Sequence, residues 1–201
     1  MFLAIEGIDG CGKSTQAKRL VEHLRRPERV VHHLREPGGT PLGERLRDLL
    51  LAKSEVSISP FSEALLYSTA RSELVRSVIA PARARGEWVV SERYFYSTLA
   101  YQGYGLGLSV PDLSALSLLA TGGLLPDRVL LLDLTPQVAL SRIRGGFDRI
   151  EARGIDYFER VRDGFLELAR REPQRFVVID AGQEVEAVER SIREAVIDVA
   201  R

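Results

Sequence analysis

The stretch that most constrains this chain is FLAIEGIDGCGKST, Phe2 to Thr15. Five residues with strand character run straight into Gly7, four residues follow, and then come Gly12, Lys13 and Ser14. This satisfies the G-x-x-x-x-G-K-[ST] pattern in the strand-to-helix setting that gives it meaning. Glycines at 7, 10 and 12 permit backbone angles that turn successive N–H groups inward, and the helix opening near Lys13 adds partial positive charge at its N-terminus. The loop Gly7, Ile8, Asp9, Gly10, Cys11, Gly12, Lys13, Ser14 and Thr15 is therefore expected to hold the phosphates of a nucleoside triphosphate. Lys13 neutralises the outer phosphates and Ser14 offers its hydroxyl to a magnesium ion.

Short apolar runs alternate with helical periodicity along the rest of the chain. Strands are expected at Phe2–Glu6, Val30–Leu34, Trp88–Ser91, Val129–Asp133 and Phe176–Asp180. Helices are expected at Thr15–Leu24, Ser62–Ala84, Val110–Ala120, Val138–Ile143, Tyr157–Arg170 and Val185–Val199. The order predicts an α/β fold of the P-loop NTPase type, three layers deep, with a five-stranded parallel sheet and helices on both faces. At 201 residues and 45% apolar composition the chain suits one domain spanning 1–201. In such sheets ligands bind beyond the carboxyl ends of the strands, so the segments after Glu6, Leu34, Ser91 and Asp133 should converge on one crevice. Arg144 to Gly154, with adjacent glycines and three arginines, reads as an exposed, mobile loop, the centre of a lid over about 142–155.

Composition narrows the partners. Twenty-eight basic residues balance 28 acidic ones, against the positive field of a protein that grips a nucleic-acid polymer. The single cysteine, Cys11, cannot form an intramolecular disulfide, and no run of 18 apolar residues occurs. A cytoplasmic protein off the membrane, acting on small charged ligands, is the expectation.

Phosphate transfer needs a second carboxylate near the metal, and the third strand delivers Glu92, followed by Arg93, whose planar fork suits a phosphate oxygen pair. The lid arginines Arg144, Arg149 and Arg153, with Arg142 at the root, supply charge to close over the transferring group. Tyr67 and Arg71 stand one helical turn apart, an aromatic face and a guanidinium on one side, suited to a planar base. The run Tyr96 to Gly103 holds Thr98, Tyr101 and Gln102, side chains that contact sugars and bases or, equally, form an ordinary amphipathic turn.

Together these residues resemble the thymidylate kinase family. The likeness spans nearly the whole chain: AIEGIDGCGKST, REPGGTPLGE at 35–44, SERYFYSTLAYQG at 91–103, LPDRVLLLDLTP at 125–136 and FDRIEARGIDYFERVR at 147–162. It implies transfer of the γ-phosphate of ATP to dTMP, with Mg2+, in dTTP biosynthesis, by a homodimer. It implies that Asp9 reaches the 3′-hydroxyl of dTMP, Tyr67 stacks on thymine, Arg71 bonds a thymine carbonyl and Arg93 holds the acceptor phosphate. Thr98 and Gln102 would line the base pocket, Tyr101 would exclude a 2′-hydroxyl, and the Glu36–Pro37 bond would be cis. The phosphate loop lacks the arginine some members carry there, which assigns that charge to the lid, with Arg144 and Arg149 as candidates and Arg142 on the adenine side. One departure is Glu92, where the family usually has aspartate. A kinase of the same fold acting on another nucleoside monophosphate or a nucleoside is the alternative, followed by a non-catalytic nucleotide regulator.

Overall fold

The computed structural model describes residues 1–53 and 57–197. Five parallel strands form the sheet: β1 (Phe2–Glu6), β2 (Val31–Arg35), β3 (Trp88–Glu92), β4 (Arg128–Asp133) and β5 (Phe176–Asp180), ordered β2-β3-β1-β4-β5. β1 is buried along its whole length, and Val89, Val90 and Val129 to Leu132 beside it are equally buried. This is the continuous apolar character that a parallel sheet covered on its faces requires. Registers fix where the strands end together. Ile5 lies opposite Glu92 on one side and Leu130 on the other, so the segments leaving β1, β3 and β4 emerge at one rim.

Nine helices surround the sheet among the described residues: α1 (Lys13–Leu24), α2 (Pro41–Leu51), α3 (Pro60–Leu74), α4 (Ala80–Ala84), α5 (Phe95–Thr98), α6 (Val110–Thr121), α7 (Pro136–Ser141), α8 (Ile155–Arg171) and α9 (Val185–Ile197). α1 packs on α9 and the sheet, while α8 packs on β4, β5 and the segment that follows α5. The strands match their expected positions to within one residue at each end. The helices differ more. The expected single helix Ser62–Ala84 is α3 and α4 joined by a wide π-helical turn at Val75–Ile79. The widening comes just before Pro81, which has no N–H for the carbonyl four residues back. The helix expected at Val138–Ile143 lies at Pro136–Ser141, and the expected end of the last helix at Val199 falls outside the described residues.

Two elements went unforeseen. α2 is started by Thr40, whose side chain accepts from the Gly43 N–H at 3.0 Å, with Pro41 in the first turn. The polar-aromatic run Phe95–Gly105 is helical throughout, α5 passing into a second π-helical turn at Leu99–Gly105. That wide turn carries Tyr101 and Gln102, and its packing on α8 buries both.

Candidate active site

The loop between β1 and α1 closes around its own lysine: Lys13 Nζ donates to the carbonyls of Gly7 at 3.1 Å and Ile8 at 2.8 Å. Gly10 is the tightest point. At its φ of +80°, a Cβ would lie 2.0 Å from the Ala139 carbonyl oxygen, so only bare backbone fits against α7. The loop opens into a cavity of about 680 Å3 lined by Asp9 to Gln16, Glu92, Arg93, Arg142 and the turn Ala181 to Val185. Gly7 and Ile8 lie behind it, serving Lys13. Arg142 donates to the Ala181 carbonyl at 3.3 Å and so ties the lid root to that turn.

Glu92 ends β3 beside the loop. One carboxylate oxygen accepts the Ser14 hydroxyl, and the other is 2.8 Å from His33 Nε2. Burial pushes the Glu92 carboxyl up, but the hydrogen bonds from His33 and Ser14 outweigh it and hold the pKa below its ordinary value. An ionised carboxylate beside a hydroxyl is a hard oxygen set, the donor chemistry magnesium prefers.

Arg93 occupies the centre. Its φ of 70° is rare for a side chain of this size, and the surroundings hold it there. Its guanidinium donates to the Gly7 carbonyl (3.1 Å), Ser97 Oγ (3.0 Å), the Tyr101 hydroxyl (2.9 Å) and Asp9. Tyr101 donates to the other oxygen of Asp9 at 2.7 Å. Burial disfavours the Asp9 anion, yet the charges of Arg93 and Lys13 prevail and its pKa is lowered. Beneath the cluster, buried Glu6 accepts from the Tyr94 N–H at 2.7 Å and Ser97 Oγ at 2.6 Å, which fixes the turn that carries Arg93.

A second cavity, about 140 Å3, adjoins the first and shares Asp9, Glu36, Arg47, Arg93 and Glu151 with it. Every residue expected to meet the acceptor lines it: Asp9, Glu36, Pro37, Tyr67, Arg71, Arg93, Thr98, Tyr101 and Gln102. Arg71, fully buried, is locked by Glu36 (2.6 Å), Thr98 (2.9 Å) and the Tyr94 carbonyl (3.2 Å). A guanidinium has five N–H groups, so two remain for a bound molecule. The Glu36–Pro37 bond is cis. Burial pushes the Glu36 carboxyl up to about 7 against the pull of Arg71, and its second oxygen has no partner among the described residues.

The lid differs from the exposed loop expected of it. Residues Arg144 to Phe147 are exposed, but Arg149 and Arg153 both reach Glu63 of α3, at 2.7 and 2.6 Å, and Gln102 donates to the same carboxylate at 2.8 Å. Glu63 is fully buried. Burial works against its ionisation, and the hydrogen bond and charge of Arg153 with the bonds from Gln102 and Arg149 more than compensate, leaving its pKa lowered. Arg149 also donates to the Leu50 carbonyl at 2.7 Å, and neither it nor Arg144 lines the large cavity. Of the expected lid arginines only Arg142 does so.

Sequence reasoning missed His33, Arg47, Glu63 and Glu151. Glu151 was visible as a charge inside the stretch 147–162 and Arg47 as one just beyond 35–44, but nothing local says that both face one crevice. His33 and Glu63 act on partners 59 and 90 residues away, beyond any periodicity.

The sequence model of the family described as Thymidylate kinase matches residues 5–192. Thymidylate kinase of Deinococcus radiodurans is 48% identical over 198 residues, covering 98% of this chain and 96% of the relative. That of Caldanaerobacter subterraneus is 42% identical over 196 residues, covering 97% and 94%. A crystal structure of thymidylate kinase from Ehrlichia chaffeensis superposes with a TM-score of 0.82 at 31% identity, covering 98% of each chain. With this site on this sheet, the chain belongs to the thymidylate kinase family, enzymes that phosphorylate dTMP.

Proposed function

We propose that this enzyme transfers the γ-phosphate of ATP to dTMP with magnesium, the large cavity holding ATP and the small one dTMP. The observation that carries the reading is that the two cavities meet at Asp9 and Arg93. Donor and acceptor phosphates brought to that junction face each other in line, and positioning of this kind supplies most of the catalysis in phosphoryl transfer. Lys13 neutralises the outer phosphates of ATP. Ser14 and Glu92 serve magnesium, which when bound neutralises charge developing on the transferring group. Arg93 grips the acceptor phosphate, and Asp9 orients the deoxyribose 3′-hydroxyl. Tyr101, held by Asp9 and Arg93, fills the space a 2′-hydroxyl would need. Tyr67 stacks on thymine, Arg71 directs its spare N–H groups to a base carbonyl, and Thr98 and Gln102 close the pocket. Arg142 and Arg144, at the root and the exposed tip of the lid, supply the remaining positive charge; Arg149 anchors the lid.

A homodimer accounts for an apolar face. Phe61 and Leu65 of α3 and Leu118 and Leu119 of α6 are exposed, Leu119 at 82%, and α3 packs on α6. A helix apolar on both sides is covered on both sides. No described helix is long and apolar enough to cross a membrane, and the balanced charge and single cysteine fit a cytoplasmic enzyme.

Arg71→Lys tests the acceptor side, because it keeps a cation opposite Glu36 while losing the planar fork. The KM for dTMP should rise roughly tenfold, with the KM for ATP moving less than about twofold. A loss confined to ATP contradicts the assignment of the two cavities.

A further inference from the structure

The glutamate at position 92 raises a geometric problem that His33 answers. A glutamate carboxylate stands roughly 1.5 Å farther from its backbone than an aspartate's and has one more rotatable bond. Ser14 alone would fix only one of its oxygens. His33 stands on the edge strand β2, opposite Val90 and thus two residues before Glu92 in register, so both side chains occupy one face of the sheet. Its Nε2 lies 2.8 Å from Oε1, while Ser14 holds Oε2. Both oxygens are therefore fixed, the carboxylate plane is set, and Glu92 is 7% exposed.

We propose that His33 is a positioning residue that adapts the metal site to the longer carboxylate of Glu92. The inference rests on the reading that Glu92 serves magnesium. His33 touches neither nucleotide nor metal; it acts by holding one oxygen of Glu92 so that the group presents itself at the phosphate loop in a single orientation. Partners of this kind are worth about 10- to 100-fold in metal affinity elsewhere.

The test is Mn2+ binding to the enzyme–ADP complex, read from the electron paramagnetic resonance signal of free Mn2+, for wild type, H33A, H33Q and E92A. H33A should weaken Mn2+ roughly tenfold, and H33Q, which restores an N–H donor, should recover to within about twofold of wild type. The KM for dTMP and the melting temperature should stay at wild-type values in both His33 variants. Should H33A melt early, His33→Asn, polar but too short to reach Glu92, takes its place. Wild-type Mn2+ affinity in H33A alongside a weakened E92A overturns the inference while leaving the role of Glu92 standing, as does failure of H33Q to recover. Wild-type affinity in E92A removes the magnesium role of Glu92, and this inference with it.

Discussion

Replacing Arg93 by alanine is expected to lower kcat/KM for dTMP by roughly a thousandfold, read from steady-state kinetics. The guanidinium holds four partners at once, from the Gly7 carbonyl to Asp9 and Tyr101. Its removal takes away the charge proposed to bind the acceptor phosphate and also leaves Asp9 with the Tyr101 hydroxyl and only the charge of Lys13. The backbone of residue 93 stays held by its own N–H on the Ile5 carbonyl and by Glu6 under the Tyr94 N–H, so the loss reports on the guanidinium. Arg93→Lys should recover little, since an ammonium cannot reach several of these acceptors together. Activity within tenfold of wild type would show that the acceptor phosphate is held elsewhere.

Glu63→Ala gives the second large effect, this time on stability. One fully buried carboxylate joins α3 to Arg149, Arg153 and Gln102, and its loss strands three donors. Removing one partner of a buried ion pair costs about 3–5 kcal/mol. The arginines are partly exposed and can turn to water, so the lower end applies: about 3 kcal/mol, a fall in Tm of roughly 6–12 °C for a chain of this size. Glu63→Gln should fall between the two, keeping hydrogen bonds without charge. A Tm within about 2 °C of wild type would mean that the lid is held by other contacts.

These two residues mark the division between what was legible in the sequence and what was not. β1, β3 and β4 were readable as buried apolar runs, β2 and β5 as short segments with apolar residues set between helical stretches, and the phosphate loop because its glycines and lysine fall at fixed spacing. The acceptor pocket was readable by resemblance, since its residues sit in motifs that stay in order along the chain. α2 was missed because its start signal, Thr40, Pro41 and Glu44, lies in a glycine-rich stretch that reads as a turn. The π-helical turns depend on Pro81 in one case and on tertiary packing in the other, neither of which disturbs the apolar pattern. The lid was misread for an electrostatic reason. Four arginines and three glycines signal exposure, and the carboxylate that buries part of the segment lies 90 residues earlier in the chain.

Asp9 sharpens the view of the phosphate loop. Lys13 and Ser14 face the large cavity, while Asp9, in the same loop, also lines the small one and pairs with Arg93. One loop therefore touches both proposed substrate sites, and its rigidity, set by close contacts such as Gly10 against Ala139, fixes the distance between them.

The most direct measurement is an acceptor panel: purified enzyme with ATP and Mg2+, and kcat/KM determined for dTMP, dUMP, dCMP, dGMP and AMP. A pocket that hydrogen-bonds the thymine edge leaves its own polar groups unpaired against other bases, so dTMP should exceed dCMP, dGMP and AMP by about a thousandfold or more. Absence of one methyl group weakens binding by only about 1–3 kcal/mol, so dUMP should react about 10- to 200-fold less well than dTMP. Equal values for dTMP, dCMP, dGMP and AMP would contradict the assignment of the small cavity to dTMP.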